Sequence, residues 1–165
     1  MKYLRCSIEL WLHFIAYSIR EIARRRSPLS IQASDTVARE LFNNHIKSNG
    51  KLELNAFLVS ERSGYGISLH RWSKARRRLF VCLGLSRNRP PLKFRGFALF
   101  EANALSQVRT TPLRVAAAPT AQNPFHANIG MPPGREKSYY MLIASEFVKQ
   151  IKPRTDLLSN QAADA

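Results

Sequence analysis

Breakers divide this chain into short pieces of mixed type. Pro28, Asn49-Gly50, Ser63-Gly64, Pro90-Pro91, Pro119, Pro124, Pro132-Pro133-Gly134 and Pro153 punctuate it. A proline lacks the amide proton a ladder needs, and Asn-Gly or Ser-Gly pairs favour turns, so each mark ends an element. Before the first break, Ile8, Trp11, Leu12, Ile15, Ile19 and Ile22 recur at three- and four-residue steps and predict an amphipathic helix over 7–23. Leu10, Phe14 and Tyr17 widen that face, and Arg24-Arg25-Arg26 place positive charge at its C-terminal end. This face is expected to pack onto the domain or a partner. The run carries Glu9 and His13, is too short to span a bilayer, and lacks a signal-peptide cleavage site. Contact with a membrane surface is the less favoured alternative.

Between the later breaks the periodicity changes repeatedly. A cap at Ser34 or Asp35 predicts a helix reaching about residue 46, and residues 52–59 read as extended chain. Ile67 and Leu69 alternate with polar residues as in a strand, and Ser73 opens a helix toward Leu83 with Gly84 at its exit. Strands are expected over 94–100 and 113–117, with a short helical turn over 102–108 between them. Residues 119–128 read as a loop, Ile129 resumes extended chain, and a last helix covers 136–152. Mixed segments without regular alternation predict an α+β fold: a small, mostly antiparallel sheet packed with two to three helices, plus the N-terminal helix. The expected organisation is a helix over 1–30, one domain over 31–153 and a flexible tail over 154–165.

The 165 residues carry 26 Lys and Arg against 11 Asp and Glu, a net charge of +15. Ten of the basic residues lie between Arg62 and Arg95, where no acidic residue occurs; the rest of the chain is only +5. Arg71, Lys74, Arg76, Arg77, Arg78, Arg87, Arg89, Lys93 and Arg95 are therefore the candidate nucleic-acid contacts, since phosphate neutralisation releases counterions. Tyr65, Trp72 and Phe94 are interleaved as stacking candidates. An acidic protein partner is the competing reading of the same charge.

The run Asn44-His45, Asn49-Gly50, Ala56-Phe57, Ile67-Ser68-Leu69 with Arg71, Gly96-Phe97-Ala98 and Asn123-Pro124-Phe125-His126-Ala127 resembles a family of small bacterial proteins of unassigned function. The likeness covers about residues 41–151, and its most specific element is the late N-P-x-H-A loop. The N-terminal helix and the 76–95 stretch depart from that pattern. The resemblance implies a bacterial, cytoplasmic, single-domain protein and carries no catalytic assignment.

His126 is the leading chemical candidate, because a histidine on a constrained loop titrates near neutrality. His45 and His70 are its candidate partners, with Arg71 to stabilise negative charge and Ser68 or Asn123 to orient a substrate. Such a set suits metal-free phosphodiester transfer. His45 with Ser68 and Arg71 also resembles the first strands of ADP-ribosyltransferase-like folds, with Glu136 the one candidate for the late acidic residue. The plain alternative is that His126 only bonds its own loop. Metal-ligand spacing, a Walker motif, a dinucleotide fingerprint and a Gly-x-Ser-x-Gly elbow are absent, so no cofactor and no metal are expected. Cys6 and Cys82 read as buried free thiols suited to a reducing compartment. The expected function is nucleic-acid binding, or the accessory role in a bacterial regulatory or defence-type pair. A His-dependent nuclease or transferase, and an interaction module using the N-terminal helix, are the alternatives.

Overall fold

The computed structural model describes residues 2–158. A six-stranded sheet, antiparallel throughout, forms its centre in the order β4-β5-β2-β1-β3-β6. The strands are β1 (Thr36–Phe42), β2 (Gly66–Arg71), β3 (Phe94–Glu101), β4 (Val115–Ala117), β5 (His126–Gly130) and β6 (Arg154–Leu157). The helices are α1 (Lys2–Ala23), α2 (Arg77–Ser86) and α3 (Lys137–Glu146), the last continuing into one π turn over Phe147–Ile151. This is the α+β class expected.

Strand alternation sends the two faces of the sheet into separate cores. Val37, Leu41, Ile67, Leu69 and Ile129 pack with Phe57, Ile143 and Phe147 beneath α3. Ala38, Phe97 and Leu99 face Leu79, Phe80 and Leu83 of α2 and Leu10 of α1. The α1/α2 layer therefore covers one face and α3 with several 3-10 turns covers the other. Two close approaches require glycine. Gly84 lies inside α2 instead of ending it, and a Cβ there would sit 2.5 Å from the Phe94 ring. Gly96 has φ +139, and a Cβ would fall 2.2 Å from the Asp156 carbonyl on β6.

Several elements differ from the sequence expectation. Residues 36–42 form the inner strand β1 and not a capped helix, followed by a 3-10 turn over Asn43–His45. Ala, Arg, Glu and Leu favour helix intrinsically, but pairing on both edges and burial on both faces override a preference of tenths of a kcal/mol per residue. Within 52–59 the chain makes a 3-10 turn at Leu54–Ala56. Residues Arg154–Leu157, expected to begin the flexible tail, pair with β3 as β6; the tail beyond residue 158 lies outside the described residues.

The largest difference is the rotation of α1. Its inward face is Cys6, Leu10, Phe14, Tyr17 and Glu21, again at three- and four-residue steps. Leu4, Ile8, Leu12, Ile15, Ile19 and Ile22 are 51–68% exposed. Of the face expected to pack onto the domain or a partner, Leu10, Phe14 and Tyr17 thus turn to the domain and the isoleucine stripe faces away from it. Aromatic fit contributes to this: Phe14 and Tyr17 meet the Phe125 ring edge-on at 5.7 and 5.8 Å, contacts that isoleucine cannot make.

The cysteines also differ. Cys6 of α1 and Cys82 of α2 form a disulfide across 76 residues of sequence, so the free-thiol reading is corrected. No helix among the described residues is long and apolar enough to cross a membrane. A thiol titration of unreduced protein is expected to find no free thiol. Cys82→Ser should lower stability by about 2–4 kcal/mol, the typical contribution of a disulfide. Two titratable thiols in the folded, unreduced chain would contradict the pairing.

Candidate functional site

β2 and β5 bring two of the candidate histidines together. His70 and His126 are register partners on adjacent antiparallel strands, so their side chains leave the same face of the sheet. Their chemical situations differ. The His70 ring is 2% exposed, stacked on Phe80 at 4.7 Å between centroids and edge-on to Phe97. Its Nε2 lies 2.8 Å from Glu40 Oε1, and its Nδ1 lies 2.7 Å from Asn123 Nδ2. Asn123 Oδ1 already accepts the Phe125 amide, so its NH2 group faces the imidazole. The consistent tautomer therefore has Asn123 donating to Nδ1 and Nε2–H donating to Glu40. Glu40 Oε2 in turn accepts from Arg87 Nη1 at 2.6 Å.

Asn123, His70, Glu40 and Arg87 thus form one buried chain in which both imidazole nitrogens are engaged. Burial alone would raise the Glu40 carboxyl, but the hydrogen bond from His70 and the Arg87 guanidinium outweigh it and hold the group at about 2. Glu40 was not singled out from the sequence, because its segment reads as a helix there. Its signal is the lone carboxylate inside a stretch whose alternation places it opposite Val37 and Leu41.

His126 is half-buried and donates from Nδ1 to the Ala118 carbonyl at 2.7 Å. Burial lowers its pKa, partly opposed by that bond, so the ring is neutral near pH 7 with its lone pair on Nε2. His45 stands apart at the end of β1. It accepts the Phe42 amide on Nδ1 at 3.3 Å, and burial together with the Arg39 charge pushes it down to about 4. No described contact joins it to His70 or His126. Of the three imidazoles, His126 alone offers a nitrogen next to another histidine, and that neighbour has none free.

Arg71 is 5% exposed and points into the junction after α1. It donates to the carbonyls of Pro28 and Ser30 and to the Tyr17 hydroxyl, with Asp35 at 3.9 Å. Three more of the basic candidates serve internal contacts. Arg76 bonds the Arg71 carbonyl at 2.8 Å and lies 4.1 Å over the Phe125 ring, where burial and the Arg71 charge lower it to about 10. Arg77 forms a two-pronged pair with Asp156 at 2.7 and 2.8 Å, and Arg87 holds Glu40. Lys74, Arg78, Arg89 and Lys93 are exposed, and Arg95 is half-buried. The interleaved aromatics are occupied: Trp72 packs on Phe80 and Phe97, Phe94 is core, and Tyr65 stacks on Tyr140.

A cavity of about 570 Å³ lies between residues 31–33 and 102–115, lined by Ile31, Leu105, Val108, Arg109, Leu113 and Arg114 among others; none of the histidines borders it. Among the described residues no cluster of His, Cys, Asp and Glu is arranged to hold a metal ion. No family model matches the chain, and neither a curated protein nor a solved structure does.

These environments set the acid stability. His45 and Glu40 both titrate below their ordinary values of 6.5 and 4.5 in the folded protein. In each case the deprotonated form is favoured by folding, so the contribution is complete at high pH and lost on acidification. Denaturant unfolding across pH should show one decline from about 6.5 toward 4, absent in His45→Gln, and a second from about 4.5 toward 2, absent in Glu40→Gln. A parent protein equally stable at pH 7 and pH 4 would contradict the burial of His45.

Proposed function

We propose that this protein is a non-catalytic binder of polyanions, engaging them with the layer formed by α1 and α2. The carrying observation is uncompensated positive charge on that layer. Arg20, Arg25, Arg26, Lys74, Arg78 and Arg89 are exposed and have no carboxylate partner among the described residues. The carboxylates nearby are already engaged: Glu9 with Arg5, Glu21 with Arg24, Glu40 with Arg87, and Asp156 with Arg77. A guanidinium without an internal partner keeps its full attraction for an external anion, screened only by salt. Burial of His70 with both ring nitrogens bonded supports binding over two-histidine acid–base catalysis.

Heparin, a soluble polyanion, is the direct probe. Its binding should weaken at least about tenfold between roughly 50 and 200 mM salt, as counterion release requires. Lys74→Gln, Arg78→Gln and Arg89→Gln together should flatten that dependence without lowering the melting temperature, because all three side chains are exposed. Undetectable or salt-insensitive binding would overturn the reading.

A further inference from the structure

We infer that the polyanion is an anionic bilayer, on which α1 lies flat with its isoleucine stripe among the lipids; this rests on the polyanion reading above. Leu4, Ile8, Leu12, Ile15, Ile19 and Ile22 fall within about 100° of one another around the α1 axis. The stripe runs the length of a 22-residue helix, about 33 Å. Trp11, 39% exposed, stands at its border and donates from its indole to the Ala121 carbonyl. Monomeric proteins rarely leave so continuous an apolar strip in water without a use for it.

Charge selects the occupant. No unpaired carboxylate faces the stripe: Glu9 is bonded to Arg5, and Glu21 is buried on the opposite side of the helix. Arg5 borders the stripe, Arg20 stands roughly a quarter-turn beyond its edge, and Arg24, Arg25 and Arg26 follow at its end. From α2, Arg78 adds a further cation: it lines a groove of about 240 Å³ together with the Arg5–Glu9 pair and the Cys6–Cys82 disulfide. That covalent tie holds α1 beside α2 and keeps Arg78 next to the Arg5 end of the stripe. An anionic bilayer satisfies both at once, with hydrocarbon for the isoleucines and phosphate headgroups for the guanidiniums. A nucleic acid would leave the stripe wet. A second copy of this chain would bring another +15 against the same arginines. Since no described helix can cross a membrane, α1 lies in the interface, about 5–10 Å deep.

The test uses the full chain with its disulfide intact, in flotation with phosphatidylcholine vesicles containing phosphatidylglycerol at roughly one lipid in three. Binding is expected to these and not to phosphatidylcholine alone, with a blue shift of emission that Trp11→Phe abolishes. The triple variant Ile8→Ser, Ile15→Ser, Ile19→Ser should lose vesicle binding at least about tenfold. It should keep heparin binding within about twofold and keep its melting temperature, since the three side chains are exposed. Vesicle binding unchanged in that variant would overturn the inference. So would a parent that binds a DNA duplex but no vesicles, leaving the polyanion reading standing. A dimeric parent that the same substitutions make monomeric would overturn it too, with a second copy as the occupant. Failure of the parent to bind heparin would remove the underlying reading itself.

Discussion

The orientation of α1, and with it the character of the exposed surface, depends on one buried guanidinium. Arg71 ends β2 and reaches across to the carbonyls of Pro28 and Ser30 and the hydroxyl of Tyr17. A charge removed from water costs several kcal/mol unless its donors are satisfied, so these acceptors are held in place. Tyr17 is thereby turned inward, its ring 4.9 Å from the guanidinium carbon. Arg76 closes the arrangement by bonding the Arg71 carbonyl and covering Phe125. Once Tyr17 is inside, helical geometry puts Leu10, Phe14 and Glu21 inside with it and the isoleucines outside.

A second polar device anchors the sheet to α2. The Asn123–His70–Glu40–Arg87 chain links β1, β2, the residue following α2 and the loop before β5, with its principal hydrogen-bonding groups paired. Phe80 closes over the imidazole, so the chain is sealed from above by the same helix it helps to position. Complete satisfaction of a buried network specifies one arrangement of the elements it joins. The polar groups of this hydrogen-bonded chain are thus engaged with one another inside the fold, while exposed charge and apolar area lie on the α1/α2 layer.

Much of the fold was legible where local pattern and tertiary context agree. Ile67 and Leu69 alternate and form β2; the 94–100 stretch forms β3; breaks at Pro90-Pro91 and Pro153 fall between elements. Legibility failed where long-range pairing decided. The TVARELF segment carries helix formers into an inner strand because neighbours on both edges satisfy its backbone. In α1 the period was readable, but apolar residues surround most of the helix. Which stripe turns inward depends on Phe125 and Arg71, more than fifty residues away. The Cys6–Cys82 pair was hidden for the same reason. Of the candidate site, the nearness of His126 to His70 follows from strand register, which no spacing in the sequence states.

The exposed isoleucine stripe follows from the rotation of α1. The most direct measurement is methyl NMR of the full chain with a soluble gadolinium chelate, which broadens resonances according to their exposure. The methyls of Ile8, Ile15, Ile19 and Ile22 should be broadened strongly, while those of Leu10 and Leu83 stay sharp. Protected isoleucines with a broadened Leu10 would mean that the opposite face of α1 packs on the domain, and would contradict the exposed stripe and the bilayer contact it makes.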